Sequence, residues 1–127
     1  MNKIQTYKKY DENENIEVGD LISIVPNTEL VTRSYTKHYK KQDKLTVGVC
    51  TAIYDKTIDV AFDGIVDVNV TGLICIGDRI TTSGIFGKAK AIKYVNDDIR
   101  IFDIRGIGKI IGLYNDYSKA KVLLDIE

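Results

Sequence analysis

The 127 residues of this chain are enough for one domain, because single cores typically use roughly 100–150 residues. With 44% hydrophobic and 28% charged residues, the composition is that of a globular protein and excludes intrinsic disorder. Lys and Arg number 18, as do Asp and Glu, and this zero formal net charge excludes the broad basic surface of a general nucleic-acid or membrane-surface binder.

The N-terminal segment differs from the rest of the chain. Residues 1–18 are rich in charged and amide side chains and have almost no apolar content. This composition predicts an extended polar N-terminal arm over residues 1–18, followed by one β-domain over residues 19–127. The segment also lacks the apolar stretch of an export signal, and no apolar run in the chain is long enough for a membrane-spanning helix. We therefore expect no membrane partner.

Short runs rich in Ile, Val, Thr and Tyr, separated by Gly and Asp, follow the arm and are typical of strands and turns. In Ile65–Val70 apolar and polar residues alternate with period two, which predicts a strand with one buried face and excludes a helix. The clearest predicted strands are Leu21–Val25, Thr46–Ile53, Thr57–Phe62, Ile65–Val70, Arg79–Thr82, Ile107–Leu113 and Lys119–Ile126.

One pair of these strands is separated by a turn signal. Asp63 and Gly64 lie between Thr57–Phe62 and Ile65–Val70. An Asp-Gly pair supplies the positive φ angles of a two-residue type I′ turn. The pair therefore predicts a tight antiparallel hairpin at this point.

The two halves of the chain show a weak internal repeat. Val18–Ile22 recurs as Ile76–Ile80, and Val47–Val49 recurs as Ile107–Lys109, each time followed by a tyrosine and a closing strand. Two similar sheets can pack on each other and hide their edges. We therefore predict an all-β fold, a small β-barrel or sandwich of two similar halves with the extended N-terminal arm.

The most basic segment of the chain, residues 33–44, interleaves lysines with tyrosines. Such a segment can bind single-stranded nucleic acid, but the acidic residues 11–17 could neutralise it within one chain or across a subunit boundary. We favour a protein partner over a nucleic acid. The candidate partner-binding residues are Asp11, Glu12, Glu14 and Glu17 of the acidic stretch and Arg33, Tyr35, Lys37, Tyr39, Lys40 and Lys41 of the basic segment.

Motifs that carry chemistry are incomplete in this sequence. The glycine-rich run Arg105–Gly112 meets neither the dinucleotide-binding nor the P-loop pattern. A Ser–His pair could use only His38, the sole histidine, which lies in the basic segment. The nearby acids Asp97, Asp98 and Asp103 do not have the spacing of an EF-hand loop. We therefore predict no catalytic residue, no metal ligand and no cofactor.

The two cysteines, Cys50 and Cys75, each lie within an apolar run. Cysteines in such runs behave as small buried hydrophobes, so we predict two buried free thiols rather than a disulfide. With one histidine and no closely spaced cysteine pair, a zinc site would lack ligands.

The pattern of glycine, valine and turn residues over about residues 45–127 resembles that of small virion proteins of tailed bacteriophages. It is similar to capsid decoration (head-cement) proteins, and also to the β-domain at the end of phage tail appendages. The runs that carry the resemblance are Val47–Cys50, Ile58–Val70, Ile76–Ser83, Gly87–Ala89, Ile107–Ile110 and Lys121–Leu124.

The resemblance implies a non-enzymatic homotrimer that binds and stabilises the major capsid protein shell. It places the protein on the capsid surface of the virion, after assembly in the host cytoplasm. One alternative is a structural component of the phage tail or baseplate. Another is a self-cleaving peptidase-like domain, since some tail-appendage relatives are linked to self-cleavage. Against the tail alternatives, Asp67 stands where their pattern usually has proline, and no catalytic residue can be carried over.

Overall fold

The computed structural model describes residues 2–36, 45–92 and 106–126. The first half of the chain forms one five-stranded antiparallel sheet with the strand order β1-β5-β4-β2-β3. Its strands are β1 (Ile4–Lys8), β2 (Leu21–Ile24), β3 (Val31–Arg33), β4 (Thr46–Ile53) and β5 (Thr57–Ala61).

The second half forms a second five-stranded antiparallel sheet with the order β6-β10-β9-β7-β8. Its strands are β6 (Asp63–Asn69), β7 (Arg79–Thr82), β8 (Ala89–Ala91), β9 (Gly108–Leu113) and β10 (Lys119–Asp125). Among the residues described, no helix is long and apolar enough to cross a membrane.

The internal repeat is confirmed at the level of topology and register. In both sheets the first strand of the half pairs with its last strand, and the order of the other three is the same. Ile22 lies opposite Gly48 in the first sheet, and Ile80 lies opposite Gly108 in the second. The two sheets pack against each other as a sandwich rather than closing into a barrel, which decides between the two predicted alternatives.

The core has two parts, and the first sheet contributes to both. One face of that sheet packs within its own half, around Ile22, Cys50 and Val60. Its other face, with Leu21 and Val49, joins the apolar cluster of the second half. Since β2 is therefore covered on both sides, Leu21, Ile22 and Ser23 are all buried. The alternation of β10 is regular instead, because its outer face is exposed.

Glycines allow a close approach at the same place in both sheets. A Cβ at Gly48 would collide with the backbone carbonyl of Ala61, and a Cβ at Gly108 would lie 2.6 Å from the carbonyl oxygen of Leu123. Real Cβ atoms essentially never approach that closely, so each strand can pack at this distance only with glycine.

The hairpin predicted at Asp63 and Gly64 is wrong. β5 and β6 lie in different sheets, and both residues belong to β6, which pairs with β10. Gly64 does have the positive φ that the pair suggested, at 82°. The turn residue therefore directs the chain from one sheet to the other instead of reversing it within one sheet.

The prediction of an extended arm over residues 1–18 is wrong for Ile4–Lys8, which forms β1 and pairs with β5. The segment also supplies Ile16, which is buried in the core of the first half. Polar composition misled here because a strand at the edge of a sheet can expose most of its side chains and is held by backbone hydrogen bonds.

The seven predicted strands are present within a residue or two at each end, and three short ones were not predicted: β1, β3 and β8. Cys50 is buried and Cys75 is exposed, and both thiols are free. The prediction of a buried thiol is therefore confirmed for Cys50 and wrong for Cys75.

Candidate protein-binding surface

Glu14 and Arg33, two of the predicted partner-binding residues, lie in direct contact. The Glu14 carboxylate accepts a hydrogen bond from Arg33 Nε at 3.0 Å and another from the Arg33 backbone N–H at 3.2 Å. It also accepts from the hydroxyl of Thr32 at 2.8 Å. Because the Glu14 side chain is only 9% exposed, this pair fixes the acidic stretch to the end of β3.

An aromatic stack lies beside this ion pair. The rings of Tyr35 and Phe86 stack with their centroids 4.2 Å apart and an interplanar angle of 14°. The Arg33 guanidinium carbon lies 5.2 Å from the centroid of the Phe86 ring, within the range of a cation–π contact. Phe86 nevertheless remains 48% exposed. Arg33, Tyr35 and Phe86, named here the cation–aromatic surface, can therefore still contact a partner.

The backbone on both sides of the stack is held by hydrogen bonds between the two halves. Phe86 lies in the loop between β7 and β8, residues 83–88. Gly87 N–H donates to the Ser34 carbonyl at 2.9 Å, and Thr36 N–H donates to the Ser83 carbonyl at 2.9 Å. Tyr35 is thus flanked by two residues that bind this loop, which makes the cation–aromatic surface rigid.

Hydrogen-bonded hydroxyl groups lie on the strands and segments that carry the cation–aromatic surface. Ser23 and Ser34 are hydrogen-bonded through their side chains at 2.6 Å, and both contact the hydroxyl of Thr46. Thr36 and Thr82 make a similar bond at 2.6 Å. These serines contact other hydroxyls, which favours structural support over nucleophilic chemistry. Elsewhere in the first half, burial raises the pKa of the Cys50 thiol to about 11.

A second group of charges joins the acidic stretch to the second half. The Asp20 carboxylate is 2% exposed and accepts from Asn69 Nδ2 at 2.8 Å. Lys88 Nζ lies 3.7 Å from Asp20 and 3.5 Å from Glu17. Asn69 and Lys88 both belong to the second sheet region, so this network binds the two halves together.

The predicted site residues fall into three groups. Glu14, Arg33 and Tyr35 come together at the cation–aromatic surface, and Glu17 pairs with Lys88 beside it. Asp11 and Glu12 are exposed in a turn, where the Asp11 carboxylate accepts the Asn13 N–H at 2.9 Å. The predictions for Lys37, Tyr39, Lys40 and Lys41 lie outside the described residues.

Within one chain, Glu14 of the acidic stretch pairs with Arg33 of the basic segment, and Glu17 pairs with Lys88 of the second half. Phe86 and Lys88 were not predicted from the sequence. The repeat was the signal that could have drawn attention to these two residues, since it makes residues 83–88 equivalent to the loop between β2 and β3. The repeat does not show that the loop of one half packs on the other half.

Within the described ranges no group of three or more His, Cys, Asp or Glu side chains could hold a metal ion. Comparison of the chain with protein-family models, with curated proteins and with solved structures gives no match.

Proposed function

We propose that this protein is a structural, protein-binding component of a bacteriophage virion. Specifically, it is a capsid decoration protein that binds the major capsid protein as a homotrimer and stabilises the shell. The proposal includes no catalysis and no cofactor. The observation that carries the binding role is the cation–aromatic surface, because arginine and aromatic side chains are the residue types that dominate binding energy in protein interfaces.

The geometry of that surface supports a contact with a folded partner. Arg33 and Tyr35 are positioned by β3 and by the bound loop of residues 83–88, so little conformational freedom is lost on binding. The half-exposed ring of Phe86 offers an apolar centre, while the charged residues Glu17 and Lys88 lie beside it as a polar rim.

Stabilisation of a shell by such a protein requires binding alone. A protein that binds the assembled, expanded capsid and does not bind free subunits favours the assembled state by mass action. The phage assignment comes from the resemblance over about residues 45–127, and the cation–aromatic surface supplies the contact it requires.

The test is co-sedimentation of the purified protein with expanded, undecorated capsids of the phage that encodes it. We expect saturable binding at micromolar concentration. Phe86→Ala should weaken binding about tenfold or more, as expected for the loss of an aromatic anchor. The matched control is Leu123→Ala, which truncates a similarly exposed apolar side chain on the outer face of the second sheet and should bind as the parent does.

Absence of binding to capsids at micromolar concentration would contradict the decoration role. Binding to purified tails instead would place the protein in the tail or baseplate. A fragment seen by intact mass spectrometry after long incubation would favour the self-cleaving alternative, whereas our proposal expects an unchanged mass.

A further inference from the structure

The two halves contact each other where a turn of the first half inserts into a recess of the second half. We name the inserted turn the tenon, its recess the socket and the contact between them the joint. The tenon is the turn of residues 17–20 in the first half, together with the two residues that lead into it, residues 15 and 16. Its socket lies in the second half, between the end of β6 and the loop of residues 83–88. Asn69 N–H donates to the Gly19 carbonyl at 2.9 Å and Leu21 N–H donates to the Gly87 carbonyl at 2.8 Å.

The second half has the same turn in residues 75–78. Cys75 N–H donates to the Asp78 carboxylate at 2.9 Å, as Glu17 N–H donates to Asp20 at 3.0 Å. The φ angles of Gly19 and Gly77 are 98° and 93°. The second half therefore carries a second tenon with the same backbone.

Gly77 of this second tenon is not covered by the part of the chain that the structure describes. A Cβ at Gly19 would lie 2.8 Å from the Asn69 side chain, whereas a Cβ at Gly77 would have no described atom within 4 Å. Leu73 and Ile76 on the second tenon are 87% and 65% exposed.

The two tenons also differ in chemistry. Where the second tenon has Leu73 and Ile76, the first has Asn15 and Val18. The uncovered turn is thus more apolar than the covered one. That is the reverse of what solvent exposure favours, and large exposed apolar side chains in a group mark an interaction site.

The first half has the matching second socket. Lys8, at the end of β1, occupies the position of Asn69, because the bridge from Lys9 to Val31 repeats the bridge from Val70 to Ala89. The loop of residues 25–30 corresponds to the loop of residues 83–88 and has the same length.

Between β1 and this loop lies an open groove of about 1010 Å³. Its lining includes Tyr7 and Lys8 of β1 and Glu29 and Leu30 of the loop.

We propose that the occupant of this groove is a second copy of the chain, which inserts its turn of residues 75–78. The intramolecular joint supplies the template. Lys9 N–H donates to the carbonyl of Lys56, just before β5, and Tyr10 N–H donates on the other side to the carbonyl of Val31. Because successive N–H groups of a strand alternate in direction, the Lys8 N–H points toward the groove. The Lys8 N–H is equivalent to the Asn69 N–H, which donates to the Gly19 carbonyl in the intramolecular joint. In the proposed joint the Lys8 N–H donates to the Gly77 carbonyl of the second copy.

Charge at the position of Asn69 supports this occupant, while Glu29 stands where the intramolecular joint has Gly87 and must turn away from Asp78. Asn69 contacts Asp20 in the intramolecular joint, and at the same positions the intermolecular joint brings Lys8 to Asp78. Opposite charges at equivalent positions set the register of such a contact. Apolar groove residues such as Tyr7 and Leu30 are available to Leu73 and Ile76.

The contact is head-to-tail, because tenon and socket are different surfaces. Such an interface generates a ring where the rotation closes and a filament where it does not. It stands without the virion role, since it rests on the repeat alone, and a homotrimer is one of the rings it allows.

The experiment uses the full chain in analytical ultracentrifugation at concentrations up to about 100 µM, where weak specific association is visible. The wild type should form concentration-dependent oligomers. Leu73→Glu, which places a charge on the tenon, and Lys8→Glu, which reverses the charge at the socket, should each remain monomeric. Circular dichroism verifies that both variants are folded.

A mixture of the two variants gives the decisive result. The socket of Leu73→Glu and the tenon of Lys8→Glu are both intact, so one joint can form between the two chains and the mixture should give a heterodimer and nothing larger. The matched control Leu123→Glu, on the outer face of the second sheet, should assemble as the wild type does.

A monomeric wild type at the highest concentration would overturn the proposal. So would variants that assemble normally, a mixture that stays monomeric, or an assembly that only Leu123→Glu disrupts. Capsid co-sedimentation of the folded monomeric variants is measured separately, so failure of the joint and failure of the decoration role are distinguishable.

Discussion

The two halves of this protein share their strand order and register, but their strands are buried to different extents. Strand order, register and the close-packed glycines Gly48 and Gly108 are shared. In the first sheet β2 is covered on both faces, whereas β10 in the second sheet alternates between buried and exposed residues. Topology and close approaches are therefore kept in both copies, while side chains differ according to what covers them.

Polar residues show the same contrast. Ser23 lies in a buried group of hydroxyls with Ser34 and Thr46. Its counterpart in the second half is Thr81, whose Oγ1 is buried with no hydrogen-bond partner within the described part of the chain. The position of Ser34 is taken by Ile92, since Ile92 N–H bonds the Arg79 carbonyl as Ser34 N–H bonds that of Leu21.

The largest expected effects come from the shared glycines. Gly48→Ala should lower the free energy of unfolding by about 3 kcal/mol or more, and Gly108→Ala by about 2 kcal/mol, since overpacking against backbone cannot be relieved by a side-chain rotation. The first is larger because the Ala61 carbonyl is closer to the added Cβ than the Leu123 carbonyl. Urea denaturation measures both.

The control for backbone strain is Gly72→Ala, since Gly72 has a φ of 79° and an added Cβ would have none of the described atoms within 4 Å. It should lose only about 1 kcal/mol, the strain of a left-handed residue. Equal losses for all three variants would show that close approach is not what requires glycine at Gly48 and Gly108.

The next largest difference in stability should come from the buried carboxylate of Asp20 and its equivalent in the second half, Asp78. Asp20→Ala removes the acceptor of the Glu17 N–H and one of the acceptors of Asn69 and of Lys88, and should lower the free energy of unfolding by about 3 kcal/mol. At the equivalent position Asp78 is only partly buried and accepts the Cys75 N–H, so Asp78→Ala should cause a smaller loss, about 1 kcal/mol. Denaturant titration of the two variants side by side tests this, and a larger loss for Asp78→Ala would contradict the covered and uncovered assignment.

The thiols should differ in reactivity. Burial raises the pKa of Cys50 to about 11 from an ordinary 9.0, so its thiolate fraction near neutral pH is about a hundredfold below that of an ordinary thiol. Cys75 is exposed. Maleimide labelling of the native protein should therefore give one fast equivalent that Cys75→Ser removes, with Cys50 labelled only after unfolding. Fast labelling that survives Cys75→Ser would contradict the burial of Cys50.

The smallest effects should have opposite signs in the two halves. Thr81→Val removes a buried hydroxyl without a partner and should raise the free energy of unfolding by up to about 1 kcal/mol. Ser23→Ala removes a bonded hydroxyl at the equivalent position and should lower it by about 1 kcal/mol. Thermal unfolding followed by circular dichroism resolves the sign, and destabilisation by Thr81→Val would show that its hydroxyl is bonded in solution.

The sequence predicted the strands that carry their own apolar pattern, such as Thr46–Ile53, and missed those that do not. Ile4–Lys8 and Ala89–Ala91 are strands because of their neighbours: β1 is defined by β5, and β8 by β7. The wrong hairpin at Asp63 has the same origin, since the local turn signal does not reveal that β6 pairs with β10 from the other end of the half.

The candidate surface was predictable in part. Charge and aromatic content identified Arg33 and Tyr35, which lie together with Glu14 in the structure. Phe86 could not be placed there, because its contact with Tyr35 depends on how a loop of the second half packs on the first. A sequence repeat shows which positions of the two halves are equivalent. It does not show which residues of one half contact the other half.

The pairing of each half's first strand with its last has a consequence for biosynthesis. Ile4 meets Ala61, and Asp63 meets Asp125. During translation the first sheet can be completed once β5 has left the ribosome, whereas β6 must wait for the final segment of the chain. Long-range pairing of this kind slows folding and leaves unpaired strand edges open to aggregation. Because β10 lies between β6 and β9, a premature stop that removes it would deprive both strands of their common neighbour and the first sheet of the apolar cluster that covers Leu21 and Val49.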